Sequence, residues 1–205
     1  MKITSAEFLC SNTDISKCPP ADKPEYAFIG RSNVGKSSLI NLLTDNSKLA
    51  KTSSKPGKTQ LINHFLINNE WYLVDLPGYG YAKTSKSNRR KWHSFINDYL
   101  LHRPNLQGVF VLIDSRIPPQ PIDLEFMQWL GKKRIPFVMV FTKIDKLSSN
   151  ELNKNLKKYK QRLAQEWNAF PKYFLSSTVS KLGKDDILDF IDQVNQSYFE
   201  SVKNQ

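Results

Sequence analysis

Two cysteines, Cys10 and Cys18, are all that 205 residues contain. Two thiols can close one disulfide but cannot build a four-ligand zinc site, and their scarcity reads as free thiols in a reducing, cytoplasmic compartment. The three histidines, His64, His93 and His102, are scattered and match no metal-ligand spacing. No apolar run approaches the ~20 residues needed to cross a bilayer. Glu7 interrupts the few apolar residues near the N-terminus, so no secretory signal is expected. There is no internal repeat and no low-complexity tract. Acidic residues are in deficit as well, 19 against 30 lysines and arginines, a formal net charge of +11. Such an excess suits a polyanionic partner better than a basic one. What remains is the size of one core. We divide it into an N-terminal lead (1–23), one domain (24–201) and a short tail (202–205).

Against these absences stands one dense motif. Residues 30–37 read Gly-Arg-Ser-Asn-Val-Gly-Lys-Ser, a complete G-x-x-x-x-G-K-[ST] loop. It follows the short apolar run Tyr26–Ile29 and leads into Ser38–Leu43, where apolar residues recur at helical spacing. That strand–loop–helix setting gives the pattern its meaning. Gly30 and Gly35 let the backbone curl so that the N–H groups of Arg31, Ser32, Asn33, Val34 and their neighbours up to Ser38 can point at a di- or triphosphate. The helix end adds positive potential. Lys36 can reach the outer phosphates, and the Ser37 hydroxyl can ligate Mg²⁺.

Other polar residues follow further apolar runs. Asp75-Leu76-Pro77-Gly78 follows Trp71–Val74. A carboxylate there suits the Mg²⁺ side of a phosphate site, through a water, and Gly78 can approach a γ-phosphate. Thr142-Lys143-Ile144-Asp145 follows Phe137–Phe141. Asp145 can accept hydrogen bonds from N1–H and the N2 amine of guanine, while adenine would leave that carboxylate unpaired at a cost. The Lys143 stem can lie flat on the base. Pro56-Gly57-Lys58-Thr59-Gln60, followed by Leu61, is a basic loop in which Thr59 can offer Mg²⁺ a second oxygen and the γ-phosphate an N–H. Ser176-Ser177-Thr178 follows Lys172–Leu175 and can present N–H groups to guanine O6. Each short motif is weak alone; four in order after predicted strands point to a guanine nucleotide.

The same runs predict the architecture. Strands are expected at 25–30, 61–67, 71–75, 108–114, 136–141 and 172–175. Helices are expected at 36–44, 88–101, 121–132, 148–166 and 184–200. Continuous β-branched runs at 109–113 and 137–141 read as parallel strands covered on both faces. Alternation with helices predicts an α/β fold, a mostly parallel six-stranded sheet with helices on both sides. The runs on either side of Asn68-Asn69 read as a hairpin, giving one antiparallel edge strand. Residues 45–59 are the longest stretch without a predicted element, and such loops are usually functional.

Taken together, G-R-S-N-V-G-K-S, P-G-K-T-Q, D-L-P-G-Y-G-Y-A, T-K-I-D and S-S-T, in this order over residues 25–195, resemble the EngB (YihA/YsxC) family of small bacterial GTPases. The resemblance implies a Ras-like, three-layer P-loop GTPase fold and hydrolysis of GTP to GDP with Mg²⁺. By position it implies Gly30–Ser37 on phosphates, Ser37 and Thr59 on Mg²⁺, Asp75–Gly78 as a second switch, Thr142–Asp145 on guanine and Ser176–Thr178 behind the base. Lys36, Thr59 and Gly78 are the residues expected to carry catalysis. It also implies a role in assembly of the large ribosomal subunit, with ribosomal RNA as partner, and in cell division and septation. Tyr79 stands where Ras-like enzymes place a water-orienting Gln, which predicts slow intrinsic turnover. Asn33 is placed to hold a potassium ion, as in related GTPases with this loop. Thr142 replaces the usual Asn, leaving one hydroxyl where an amide would bridge base and loop, which predicts modest nucleotide affinity.

The positive charge is clustered. Lys48, Lys51, Lys55 and Lys58 lie before the second apolar run, and Lys83, Lys86, Arg89, Arg90 and Lys91 follow Gly78. Lys154, Lys157, Lys158, Lys160 and Arg162 crowd one late helix. The first two clusters flank the expected nucleotide and suit an RNA backbone, while the third reads equally well as a solvated face. Tyr79, Tyr81 and Trp92 are candidates for base stacking or for core. We expect a monomer with no DNA partner and no membrane span.

Overall fold

The computed structural model describes residues 1–51, 61–79 and 86–204, the side chains of 86–93 excepted. Seven strands form one sheet: β1 (Ala6–Asn12), β2 (Glu25–Gly30), β3 (Ile62–Ile67), β4 (Trp71–Asp75), β5 (Leu106–Asp114), β6 (Phe137–Thr142) and β7 (Tyr173–Leu175). Their order is β1-β3-β4-β2-β5-β6-β7. The pairs β2·β4, β2·β5, β5·β6 and β6·β7 are parallel, and β3 runs antiparallel to both neighbours. Five helices complete the fold: α1 (Lys36–Leu43), α2 (Lys86–His102), α3 (Pro121–Lys132), α4 (Ser149–Leu163) and α5 (Lys184–Lys203).

Strand periodicity divides the core into two layers. Along β5, Val109, Val111 and Ile113 face one cluster with Ile96, Tyr99 and Leu100 of α2, Leu124, Met127 and Leu130 of α3, and Leu156, Tyr159 and Leu163 of α4. Phe110 and Leu112 face the opposite cluster with Leu39, Ile40 and Leu43 of α1 and Ile187, Leu188 and Ile191 of α5. Successive side chains of a strand point to opposite faces, so a central strand covered on both sides must be apolar throughout. The parallel crossovers deliver the C-terminal ends of β2, β4, β5, β6 and β7 to one edge, where ligands of open α/β sheets bind.

The seventh strand lies in the lead segment. β1 pairs with β3 from Ala6↔Ile67 to Asn12↔Ile62, with an irregularity between Phe8 and Cys10. Its residues are mostly exposed, so no apolar alternation marked it. The turn after β3 holds it in place. Asn68 and Asn69 both have positive φ, 50° and 56°, at the centre of a tight turn closed by Glu70 N–H on the Ile67 carbonyl at 2.9 Å. The Asn68 amide accepts from Thr4 N–H at 2.7 Å and donates to the Lys2 carbonyl at 2.8 Å. The beginning of the predicted loop 45–59 is also ordered, because Asn41 of α1 ties Ser47 and Ala50 through three hydrogen bonds of 2.8–3.0 Å.

Candidate functional site

The loop 31–35 joins β2 to α1. Its last residue, Gly35, caps α1 with φ 101°, a left-handed conformation in which any side chain is strained. Val34 N–H closes a turn on the Arg31 carbonyl at 3.2 Å. The residue after the loop, Lys36, forms an ion pair with Asp75 at the end of β4, and both side chains are nearly buried. Burial pushes the Lys36 ammonium down to about 7. A phosphate placed here would favour its charged form further, as Asp75 does now. Ser37 is half-buried in the first turn of α1, Ser32 is half-buried and Ser38 exposed.

Gly78 completes this end. A Cβ on it would meet the Gly30 carbonyl at 2.9 Å and the Ser32 nitrogen at 3.2 Å, so only glycine lets the strand-end segment lie on the loop. The Tyr79 N–H donates to the same Gly30 carbonyl at 3.1 Å, and Leu76 N–H bonds Phe28 O at 3.0 Å. Tyr79 is 2% exposed and packs on Phe126 of α3, so it belongs to the core rather than to a stacking surface. The predicted Gly57, Lys58, Thr59 and Gln60, and the stacking candidates Tyr81 and Trp92, lie outside the described residues or side chains. Leu61, by contrast, is described and is exposed.

The other end is tied together by T-K-I-D. The Thr142 hydroxyl donates to the Val34 carbonyl at 2.6 Å and lies 3.2 Å from Ile113 O. One hydroxyl therefore bridges β6 to the loop, the linkage expected of a longer amide. The Lys143 ammonium donates to Asn33 O at 2.6 Å and pairs with Asp114 at 2.9 Å, which stretches its stem across Gly35, with Cε 3.7 Å from where a Gly35 Cβ would be. Asp145 accepts a 2.7 Å bond from the Ser177 hydroxyl, and that bond lowers its carboxyl. Val179 and Ser180 N–H groups in turn donate to Ser177 Oγ at 3.2 Å. Ile144 N–H reaches Ser176 O at 3.3 Å. Ser176 and Ser177 are buried, and Thr178 is exposed.

Asp114 was not among the residues singled out from sequence. Burial would raise its carboxyl, but bonds from Arg116 and Lys143 bring it down to about 2. Arg116 holds it with two bonds of 2.8–2.9 Å. The signal was available. Asp114 closes the apolar run of β5 as Asp75 closes β4, and it sits opposite Thr142 in the sheet register.

Chemically, one end offers a lysine, loop N–H groups and a helix terminus to phosphates. Its donor set, the Ser37 hydroxyl and the Asp75 carboxylate, is all oxygen, the kind Mg²⁺ prefers. The other end offers a carboxylate held by a fixed serine, beside an extended lysine stem.

Comparison with known proteins agrees with this geometry. The family model of 50S ribosome-binding GTPases matches residues 25–143. A probable GTP-binding protein EngB of Christiangramia forsetii is 60% identical over 197 residues, covering 96% of this chain and 100% of that protein. Its counterpart in Bacteroides thetaiotaomicron is 55% identical over 98% of this chain. Among solved structures, a probable GTP-binding protein engB superposes with a TM-score of 0.65 at 23% identity, over 84% of this chain and 99% of that one. Aquifex aeolicus Era bound to GDP and AlF4⁻ gives a TM-score of 0.66 at 22% identity, over 83% of this chain and 56% of that one. The chain belongs to the EngB family of GTP-binding proteins and has the P-loop GTPase fold.

Proposed function

We propose that this GTPase is an Mg²⁺-dependent molecular switch that binds ribosomal RNA on precursors of the large ribosomal subunit in its GTP form. Through that role it would serve cell division and septation in the bacterial cytoplasm. The observation that supports the nucleotide assignment is the Asp145–Ser177 bond, which holds a carboxylate two residues after Lys143, where it would meet a guanine edge. Ser176 to Thr178 would back the base, and Gly30 to Ser38 the phosphates.

Ser37, Thr59 and Asp75 would hold Mg²⁺, Asp75 through a water. When bound, Mg²⁺ neutralises charge on the outer phosphates. Lys36 supplies a second positive charge there, leaving Asp75 as the γ-phosphate takes its place. The Gly78 N–H and the Thr59 N–H would bond the γ-phosphate and be released on hydrolysis, which orders and frees the two basic loops. Lys36, Thr59 and Gly78 would thus stabilise charge on the phosphates in the transition state, while Tyr79, standing where a water-orienting Gln would, is buried in the core. Intrinsic turnover on the order of 10⁻⁴–10⁻³ s⁻¹ follows, as for an unassisted switch GTPase. Asn33, exposed at φ 63°, is where a potassium ion would act; hydrolysis compared in sodium and potassium buffers tests that.

The partner reading rests on charge, above all on the clusters flanking the nucleotide: Lys48 and Lys51 are exposed, while Lys55, Lys58, Lys83, Lys86, Arg89, Arg90 and Lys91 lie outside the described residues or side chains. On α4, Lys154, Lys157, Lys158 and Lys160 are exposed, whereas α5 on the opposite face carries Asp185, Asp186, Asp189, Asp192 and Glu200. Phosphate-driven binding loses roughly 0.7–0.9 in log affinity per contact for each tenfold rise in salt. Co-sedimentation with large-subunit particles across a salt series, in GDP and in a non-hydrolysable GTP analogue, is the test. Tighter binding with the analogue and a slope near about −4 support the reading. Equal binding in both states with no salt dependence overturns it, and would favour a module that uses GTP as a structural ligand.

A further inference from the structure

Behind the phosphate loop lies a cavity lined in part by Arg31, Ser32, Asp114, Asp123 of α3 and Tyr159 of α4. Three oxygens in this region are buried without a hydrogen-bond partner among the described residues: Asp123 Oδ1, the Tyr79 hydroxyl and the Tyr159 hydroxyl. Asp123 is 3% exposed, Tyr79 2% and Tyr159 1%. Asp123 and Tyr159 belong to none of the nucleotide motifs, and Tyr79 directly follows Gly78 in D-L-P-G-Y-G-Y-A.

A buried polar group without a partner is costly, and its presence in a native site asks for an explanation. Here the Asp123 carboxyl bears directly on the Tyr79 hydroxyl, with Tyr159 and the positive Arg31 as the other ionisable groups facing it. Burial raises the Asp123 carboxyl and holds the Tyr79 phenol well above its ordinary value. Of the two, the phenol hydroxyl can donate and the carboxyl oxygen can accept. The two groups act on one another, yet no completed bond joins the Tyr79 hydroxyl to Asp123 Oδ1.

The backbone links this pair to the phosphates. Tyr79 N–H is fastened to Gly30 O at 3.1 Å, and Gly78 lies against the loop so closely that a methyl group would not fit. The Tyr79 ring is packed against Phe126, one turn of α3 beyond Asp123. A small shift of Gly78 therefore moves the Tyr79 hydroxyl relative to a carboxyl held fixed by α3.

We propose that Asp123 is a positioning residue for GTP hydrolysis: it accepts a hydrogen bond from Tyr79 when Gly78 is drawn to a γ-phosphate, so that α3 stabilises the triphosphate arrangement of the Asp75–Gly78 segment. The proposal rests on the assignment of Gly78 to the γ-phosphate. The bond forms in the triphosphate arrangement and is incomplete in the one described. It should therefore affect the γ-phosphate and leave the rest of the nucleotide alone.

The experiment uses the full chain with Tyr79→Phe, Asp123→Leu and Asp123→Asn. Fluorescent GDP and a fluorescent non-hydrolysable GTP analogue are titrated, and single-turnover hydrolysis and thermal stability are measured alongside. Tyr79→Phe and Asp123→Leu should each lower the analogue-to-GDP affinity ratio and slow hydrolysis by about 5- to 10-fold, the worth of one hydrogen bond. GDP affinity should be unchanged. Asp123→Asn, whose amide oxygen still accepts, should recover most of both. The double variant Tyr79→Phe/Asp123→Leu should be no worse than either single one. If the variants alter stability alone, with the affinity ratio and the rate unmoved, the three oxygens are only a core cluster and the proposal fails. If Gly78→Ala leaves the analogue-to-GDP ratio of the otherwise native chain unchanged, the underlying assignment of Gly78 fails instead.

Discussion

Strand β2 begins and ends in buried charge, and the two ends are built differently. At its start Glu25 is fully buried. Arg103 grips it with three bonds of 2.8–3.2 Å, the Tyr99 hydroxyl donates to it, and the His64 ring lies 3.6 Å away. The partners lie within the chain on α2, β3 and the turn before β5. At the other end, past Gly30, Lys36 meets Asp75 alone among the described residues. A buried pair whose partners are all internal fixes a structure. A buried pair with a lysine lowered toward neutrality is one that an incoming anion can split. The start of β2 holds the fold, and its end is available for exchange of partners.

The largest way to test that contrast is to break the first end. Arg103→Ala removes the guanidinium from a buried Glu25 that keeps only Tyr99, His64 and Asn105 beside it, which costs about 3–5 kcal/mol. Denaturant unfolding should show that loss, while the preference for guanine over adenine nucleotides is kept in the protein that remains folded. A change in base preference as large as the loss in stability would erase the distinction between the ends.

Acid probes the same end without mutation. Burial would raise the Glu25 carboxyl, yet His64 and Arg103 draw it down to about 2, from 4.5. A lowered carboxyl contributes stability that is fully present above its unfolded value and is lost as the pH falls. The contribution, at most about 3 kcal/mol, should therefore disappear between pH 4.5 and 2. Thermal melts across that window should show it in the native protein and should be much flatter in Arg103→Ala.

At the nucleotide end, Asp145→Asn is expected to weaken GTP and GDP by about 1.5–3 kcal/mol. Xanthine nucleotides, whose C2 carbonyl suits an amide donor, should bind the variant better than they bind the native chain. Stability should hardly change, since Asp145 is exposed. Competitive titration with the four nucleotides reads both effects, and equal affinity of the native protein for ATP and GTP would remove the assignment.

The two ends were unequally legible in the sequence. Strand-end motifs named the nucleotide end because phosphate and base chemistry demand particular residues at particular spacings, and the described helices and central strands fall within a few residues of their expected limits. Glu25 and Arg103 gave no such signal; their pairing spans 78 positions and exists only once β2 and α2 are packed. β1 was equally silent. Its residues AEFLCSN are mostly exposed, and what holds it is its pairing with β3 and the long-range Asn68 turn. Asp114 could have been read, since its run resembles those before Asp75 and Thr142. Asp123 stands in the first turn of α3 and is buried, and no motif or spacing singled it out.

The smallest expected effect concerns Thr142, where the sequence alone predicted a weak bridge. Its hydroxyl makes the 2.6 Å bond to Val34 O that fixes the phosphate loop against β6. Thr142→Val keeps the shape, removes the donor and leaves that carbonyl and Ile113 O to other partners. A neutral bond of this kind is worth about 1 kcal/mol, so GDP affinity should fall about fivefold. Because the bridge joins β6 to the loop rather than touching the base, the ratio of GTP to ATP affinity should stay constant. Thr142→Asn, with a longer donor, should keep affinity within about twofold of native if linkage is all that matters here. Nucleotide titration of the two variants decides it. A Thr142→Val variant with full affinity would mean that Lys143 alone, through Asn33 O and Asp114, ties the two halves of the site together.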